Sequence, residues 1–175
     1  PTPPGIERSI CSTNGSSLYS GSTVITKGVV VAESSGTFND NDRGYWLQDG
    51  AGGWNGIFVH DIVNTVTIGD SVELAGSVIE NFNHTIIDDV SNFSILNSGN
   101  TPAAPSIITV AEANSEQYEG VLVTVETVNC TNPAVGFGVW ELATATDTIL
   151  VDDVIYEYIT PVINGVYSVT GPLYY

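Results

Sequence analysis

The sequence predicts an all-β protein made of two small β-barrels in tandem. Runs of β-branched and aromatic residues recur along the 175 residues and are separated by Gly, Asn and Asp, whereas helical periodicity is scarce. The two halves of the chain also repeat one another. Each unit of about 70–80 residues holds a long strand, a hairpin and a glycine-containing fourth strand, which is typical of a small closed barrel.

The first unit is expected to span residues 20–98. Alternating apolar residues and flanking turn formers predict its strands. They are Thr23–Glu33, Gly44–Gln48, Gly56–His60, Ser71–Ile79, Thr85–Asp88 and Asn92–Leu96. Residues 1–19 precede the first strand and have no place in this barrel.

A linker over residues 99–106, rich in turn formers and proline, separates the two units. The second unit spans residues 107–175 and opens with a short helical turn over Thr109–Glu116, where Thr109 and Glu112 form a capping box. Its predicted strands are Val121–Val128, Gly138–Leu142, Thr148–Val151 and Val166–Leu173.

Three pairs of landmarks define the repeat, and their spacing is almost constant. Trp46 and Trp140 are 94 positions apart, Asp61 and Asp153 are 92 apart, and Gly76 and Gly171 are 95 apart. Such agreement indicates two copies of one structural unit. Because the tryptophans recur, core packing is the favoured interpretation for both.

The repeated segments resemble a known family. The run Gly44-Tyr-Trp-Leu-Gln-Asp-Gly50, followed by Gly56-Ile-Phe-Val59 and Ile68–Val78, resembles the OB-fold domains of secreted bacterial proteins. Such domains occur beside extracellular nucleases and in surface proteins of the Bacteroidetes type. Tyr118–Glu126 with Gly136–Trp140 is similar to the second copy of tandem versions. The resemblance covers residues 20–175 and implies two OB-like barrels.

The second barrel is expected to lack its closing strand. Twenty residues separate Gly76 from Leu96, enough for a fifth strand, but only four residues follow Gly171. An open barrel would expose an apolar edge, which proteins normally cover. The edge residues are Leu173, Tyr174 and Tyr175.

The N-terminal segment is a candidate for the missing strand, with Ile6 and Ile10 filling apolar positions. Donation to a neighbouring copy would give a head-to-tail homopolymer by β-augmentation. Folding back would close the barrel within one chain. A third alternative is that the chain was cut before its fifth strand; it begins with Pro rather than Met, which indicates a processed form or a fragment.

The two cysteines, Cys11 and Cys130, lie too far apart for a redox pair or a zinc knuckle. In an oxidising compartment they would form a disulfide, within one chain or between two, and would secure the donated strand. The alternative is two free, buried thiols.

Composition excludes several functions. Three basic residues against twenty acidic ones, a formal charge of −17, leave no means of neutralising nucleic-acid phosphates. No apolar run is long enough for a membrane span, so no membrane insertion is expected. The sequence lacks nucleophile-elbow, P-loop and dinucleotide motifs, and His60 and His84 have no third ligand at metal spacing, so an enzyme is not predicted.

Calcium is the cofactor that the charge suggests, because oxygen-rich loops suit this ion. The candidate ligands are Asn39, Asp40, Asp42, Asp88, Asp89, Asp152 and Asp153. Ordinary solvated turns are the alternative. Trp54 follows two glycines in a loop and has no repeat partner, so it is a candidate contact for a sugar, a peptide or a neighbouring subunit.

The sequence thus predicts a secreted, non-enzymatic protein, since charged residues make up only 13% of the chain and polar uncharged residues abound. The main hypothesis is a subunit of an extracellular fibre or surface layer, built from copies of itself by strand donation. The alternative is an OB-fold binding module for a carbohydrate, a peptide or an oligonucleotide, accessory to another domain.

Overall fold

The computed structural model describes residues 15–34, 43–158 and 161–174, and within them the chain is built of strands with very little helix. The all-β prediction is confirmed. The strands are β1 Thr23–Ser34, β2 Gly44–Gln48, β3 Gly56–His60, β4 Ser71–Asn81, β5 His84–Asn97, β6 Ser106–Ile108, β7 Leu122–Gly136, β8 Val139–Ala143, β9 Thr148–Val151 and β10 Val166–Pro172. The helical segments are α1 Val110–Ala113 and a 3₁₀ turn over Glu116–Tyr118.

Strands β1 to β5 close into a barrel in the order β1-β2-β3-β5-β4. Strand β1 pairs with β2 along its C-terminal half and with β4 along its N-terminal half, which closes the ring. Neighbouring strands are antiparallel except β3 and β5, where Phe58 lies opposite Ile86 in a parallel pair. A register shift between Val30 and Ala32 bends β1, as bulges do in barrels.

Alternate side chains of these strands fill the barrel, because successive residues of a strand point to opposite faces. The buried core consists of Val30, Tyr45, Leu47, Ile57, Val59, Val66, Val72, Leu74, Val78 and Ile87. Gly76 lets β5 cross close to β4: a Cβ at this position would lie 2.3 Å from Cγ2 of Ile87. Glycine is therefore required where the two strands approach.

Two strands differ from their predictions by more than two residues in length, and β6 was not predicted. The segments predicted as Thr85–Asp88 and Asn92–Leu96 form one strand, β5, in which Asp89 and Asn92 adopt positive φ angles. The register with β4 shifts in this region, so the turn-forming residues produce bulges instead of a break. Strand β7 continues to Gly136, beyond the predicted end at Val128, because its second half pairs with β8.

The second unit is a curled sheet with the strand order β10-β7-β8-β9, and β6 pairs in parallel with β7. Its core lies between the sheet, β6 and α1. The predicted capping box is present, since the Thr109 hydroxyl accepts from the Glu112 amide and the Glu112 carboxylate accepts from the Thr109 amide. The buried core consists of Ile108, Val110, Ala113, Val121, Val123, Val125, Val128, Cys130, Trp140 and Leu142.

Equivalent backbone hydrogen bonds show which residues of the two units correspond. The amide and carbonyl groups of Val30 pair with Asp70 and Gly69, and those of Cys130 pair with Gly165 and Asn164. Cys130 therefore matches Val30.

The tryptophans do not match one another. Tyr45 lies opposite Val59 and Trp140 lies opposite Val151, so the counterpart of Trp140 is Tyr45. Trp46 is one position further along and faces outward from its barrel. The prediction of core packing is therefore confirmed for Trp140, whereas Trp46 is buried outside the barrel. The cause is the shift of one residue, which moves a side chain to the opposite face of its strand.

Residues 15–22 lie against the first barrel. The Ser17 amide donates to Glu80, the Gly21 amide donates to the Val78 carbonyl, and the Val78 amide donates to Ser22. The expectation that residues 1–19 have no place in this barrel therefore does not hold for residues 15–19. Within the described ranges, no helix combines the length and the apolar character needed to cross a bilayer.

Candidate assembly site

Strands β9 and β10 form the two outer edges of the second sheet. Among the residues that the structure describes, β9 pairs only with β8, and β10 pairs only with β7. In the first barrel the corresponding strands β3 and β4 are joined by β5, which pairs with both. In the second sheet, by contrast, no described strand pairs with the outer edges of β9 and β10, and we call these two unpaired edges the open slot.

Apolar side chains at the open slot are less buried than their counterparts in the first barrel. Those on β9 and β10 that pack against the second core are only partly buried; they are Ile149, Val151, Tyr167 and Val169. The residues at matching register in the first barrel are at most 8% exposed; they are Ile57, Val59, Val72 and Leu74. The difference follows from β5, which pairs with β3 and β4 in the first barrel and has no equivalent among the described residues of the second unit.

Gly171 is the counterpart of Gly76, since both lie opposite the first half of the long strand of their unit. A Cβ at Gly76 would collide with Ile87 of β5, but a Cβ at Gly171 would meet no described heavy atom within 4 Å. A glycine inside a strand weakens it and often marks the close approach of another backbone. Gly171 thus lacks a side chain at the position where, in the first barrel, the absence of a side chain lets β5 approach.

An aromatic cluster forms around Trp140 of the second core. Trp140 and Tyr167 project from β8 and β10, with ring centroids 5.0 Å apart. Tyr158, from the connection between β9 and β10, packs 5.8 Å from Trp140 and 5.9 Å from Tyr167. Tyr158 remains 43% exposed, so this cluster has an open side.

Cys130 lies in the second core with no exposed surface and forms no disulfide with any residue that the structure describes. Its proposed partner, Cys11, lies outside the described residues, as do Ile6, Ile10 and Tyr175. The disulfide therefore stays a prediction. Its location in the core places any bond to Cys130 on the inner face of the second sheet.

Leu173 and Tyr174, which the sequence predicts at an exposed edge, contact other parts of the chain. Leu173 packs against the second core, and its backbone bonds to Gly120 and Val121. The Tyr174 ring lies against the first barrel, with its centroid 4.6 Å from that of His84 and 6.0 Å from that of Phe58. The end of the chain therefore helps to join the two units.

The surface between the units, which we call the seam, buries the outer face of β2 and β3. Trp46 and Phe58 are each 1% exposed, and their rings pack at a tilt of 48° with centroids 4.7 Å apart. Leu122 and Val154 of the second unit pack against this cluster. The Leu122 amide also donates to Oε1 of Gln48 over 2.6 Å.

Trp54 lies at the rim of the seam rather than on a free loop. Its backbone has a positive φ, and its amide donates to the carbonyl of Gln117 over 2.6 Å. The residue is partly buried. Its backbone thus connects the two units, and a ligand contact through its side chain stays a prediction.

Acidic groups from both units meet at the seam. The Thr85 amide donates to Oε1 of Glu119, and the Thr85 hydroxyl donates to Oε1 of Glu80. Burial, with the nearby charges of Glu116 and Glu80, raises the pKa of Glu119 to about 8 against the hydrogen bonds from Thr85. Burial also lowers the pKa of His84 to about 4, so this neighbouring imidazole is neutral at pH 7.

The candidate calcium ligands that the structure describes are Asp88, Asp89, Asp152 and Asp153. Oδ1 of Asp88 lies 2.9 Å from Nδ1 of His60 and accepts from the Asp89 amide. The Asp153 amide donates to Asp152. In the described part of the chain, no three His, Cys, Asp or Glu side chains form a group that could hold a metal ion. Asn39, Asp40 and Asp42 lie outside that part.

Sequence reasoning missed the residues that join the two units. Glu80, Thr85 and Glu119 carry no motif and lie on segments with no shared periodicity. The only available signal was the apolar outer face of β2 and β3, where Trp46 and Phe58 interrupt the expected alternation of buried and solvent-facing residues.

Comparison of this chain with protein-family models, with curated proteins and with solved structures found no match. The description of this protein therefore depends on its own strands and contacts. It is an all-β chain in which a closed barrel packs against a curled sheet with an open slot.

Proposed function

We propose that this protein is a secreted, non-enzymatic subunit of an extracellular fibre or surface assembly. In this assembly the N-terminal segment of one copy occupies the open slot of the next. We further infer that the first barrel is an OB fold, supported by its five strands in the order β1-β2-β3-β5-β4, and that the second sheet is an OB barrel without its own fifth strand. The open slot with its partly buried lining is the observation that carries the proposal.

The first barrel indicates how a donated strand would lie. Strand β5 runs parallel to β3 and antiparallel to β4. A strand in the open slot would therefore run parallel to β9 and antiparallel to β10, and would make main-chain hydrogen bonds with both edges. Ile6 and Ile10 are four residues apart, so in an extended strand they lie on one face and can both enter the core.

Charge favours the N-terminal segment as the donor. Residues 1–14 contain one acidic residue, Glu7, and one basic residue, Arg8, whereas the whole chain carries −17. Copies of such an acidic chain repel one another. A donor segment with balanced charge enters its neighbour without adding to this repulsion.

The seam argues against the alternative of a ligand-binding module. OB folds bind oligonucleotides and oligosaccharides on the face of their second and third strands. In the first unit this face holds Trp46 and Phe58, which the second unit buries. A ligand would have to displace the second unit to reach them.

Assembly of variants tests the proposal. Full-length protein in calcium under oxidising conditions is expected to form filaments in negative-stain images, and deletion of residues 1–13 is expected to leave only single subunits. Ile6→Asp and Ile10→Asp should act like the deletion. Ile62→Asp, at a residue that is 52% exposed on the first unit, is the matched control and should assemble normally.

Peptide complementation tests whether the segment binds the open slot, and particle size separates donation to a neighbour from closure within one chain. A peptide of residues 1–14 should bind the deleted chain and raise its melting temperature in both cases. Full-length protein that stays as 18.5 kDa particles under these conditions would contradict the polymer. Non-reducing gels should show a ladder that Cys11→Ser and Cys130→Ser each remove.

A further inference from the structure

We propose that Glu80 and Glu119 hold one proton between them when the seam is closed, and that loss of this proton loosens the two units from each other. The proposal concerns contacts within one chain and does not depend on fibre formation. Contact between the two units at the seam would therefore depend on pH.

The two carboxyl groups come from different units and meet at one residue. Glu80 is the penultimate residue of β4 in the first barrel, and Glu119 precedes β7 of the second unit. The Thr85 hydroxyl lies 3.0 Å from Oε1 of Glu80, and the Thr85 amide lies 2.9 Å from Oε1 of Glu119. Separation of the units breaks the second bond, which is the one that crosses the seam.

The remaining oxygens of this pair are buried and unsatisfied. Oε2 of Glu80 and Oε2 of Glu119 each have less than 1 Å² of exposed surface and no hydrogen-bond partner within the described chain. A buried carboxylate oxygen without a donor is costly. A proton on one of the two carboxyl groups removes a charge and supplies a donor.

The groups that the structure describes beside this pair are acidic, neutral or apolar. The 3₁₀ turn contributes Glu116, β5 contributes His84, and the end of the chain contributes Leu173 through a backbone bridge to Glu119. Burial keeps His84 neutral, and the charges of Glu116 and Glu80 both oppose ionisation of Glu119, whose pKa is raised to about 8. Within the described ranges, Glu80 and Glu119 form no ion pair with a basic side chain.

The sign of the effect follows from this raised pKa. Deprotonation costs more in the closed seam than in the open one, where the group is solvated. Closure is therefore strongest below the ordinary glutamate pKa and is lost progressively as the pH rises toward about 8.

Hydrogen exchange at the backbone amides that cross the seam tests the proposal. Thr85, Leu122 and Trp54 donate their amides to the other unit. After correction for intrinsic exchange, their protection is expected to fall by close to ~10-fold per pH unit between about pH 5 and 8 and to level off above. Amides of Val30 and Leu47 within the first barrel should not follow this change.

Variants assign the effect to the pair. Glu119→Gln should abolish the pH dependence, and Glu80→Gln should reduce it. Glu126→Gln, an exposed carboxyl on β7, is the matched control and should retain it. Protection that does not depend on pH, or a pH dependence that persists in both seam variants, would overturn the proposal.

A direct titration of the wild-type protein does not depend on the folding of any variant. Carboxyl ¹³C shifts of labelled glutamate should show one seam carboxyl with a midpoint near pH 8, unchanged by a chelator. A midpoint for Glu119 below about pH 5, or seam protection that a chelator abolishes, would contradict the shared proton.

Discussion

Trp140 in the second sheet occupies the position that Tyr45 holds in the first barrel, although Trp46 is the residue that the sequence repeat aligns with it. Tyr45 and Trp140 both point into the core of their unit, opposite Val59 and Val151 respectively. Trp46 instead fills the seam against Phe58. The two tryptophans therefore stabilise different parts of the molecule.

Truncation of each tryptophan is expected to have a different effect. Trp140→Ala removes a side chain from the second core and should lower the free energy of unfolding by about 3–5 kcal/mol. Trp46→Ala should cost a similar amount, but exchange should increase first at the seam amides Thr85 and Leu122. Urea denaturation followed by hydrogen exchange measures both quantities.

Phe137→Ala is the control for these substitutions, because its side chain is fully exposed at a hairpin tip. It should change stability by less than about 0.5 kcal/mol. Identical exchange patterns in the two tryptophan variants would show that they do not stabilise separate regions.

The paired glycines give a second test. Gly76→Ala should destabilise the isolated subunit by about 1–3 kcal/mol, since the added methyl collides with Ile87 and the Asp88 carbonyl. Gly171→Ala should leave the isolated subunit within about 0.5 kcal/mol of wild type, because the space around it is open. Thermal denaturation of monomeric protein measures both.

In the proposed assembly, a donated strand lies against Gly171 as β5 lies against Gly76. Gly171→Ala should therefore weaken filament formation while it spares the monomer. Normal assembly of this variant, alongside a destabilised Gly76→Ala, would argue that no strand enters the open slot at this position.

The His60–Asp88 pair predicts an acid-side effect. Burial opposes ionisation of Asp88, but the hydrogen bonds from His60 and from the Asp89 amide, with the His60 charge, lower its pKa below the ordinary value. A lowered carboxyl pKa contributes stability above the unfolded-state value, and this is lost as the pH falls through the folded-state value.

Asp88→Asn should therefore show a smaller fall in melting temperature than wild type between about pH 4 and pH 2. Glu157→Gln, at an exposed position, is the control and should follow wild type. A melting curve for Asp88→Asn that is parallel to wild type at every pH would show that the pair does not titrate as expected.

Calcium dependence is the fourth prediction, since a charge of −17 opposes association of subunits. A chelator is expected to lower the melting temperature or to disperse assemblies, and excess calcium should restore them. Asp40→Asn with Asp42→Asn should reduce the response, whereas Asp147→Asn should not. An unchanged melting temperature and an unchanged morphology in the chelator would refute the calcium site.

Much of the fold was predictable because it depends on local pattern. Alternation and turn residues located the strands of both units, and the spacing of Thr109 and Glu112 located the capping box. The interruption expected near Asp89 was wrong, because pairing with β4 carries β5 through a bulge. Residues with turn propensity remain within a strand when a long neighbouring strand supplies hydrogen-bond partners.

The open slot was partly predictable, and the seam was not. The repeat spacing placed Gly171 at the position of Gly76, opposite the long strand of its unit, but the contact of the Tyr174 ring with His84 depends on how the two units pack. Glu80 and Glu119 are 39 positions apart, and only the meeting of the two units brings them to Thr85. The periodicity of apolar residues along the sequence does not predict a contact between such distant positions.

By itself, the sequence determined that this protein is all-β and that its net charge is strongly negative, because composition and alternation are local properties, and it predicted two repeated units. Tertiary structure decided which face each tryptophan takes and which residues join the units. A shift of one residue reverses every side chain of a strand. The register that selects Tyr45 rather than Trp46 for the core arises from hydrogen bonds to β1 and β3, and these exist only in the folded barrel.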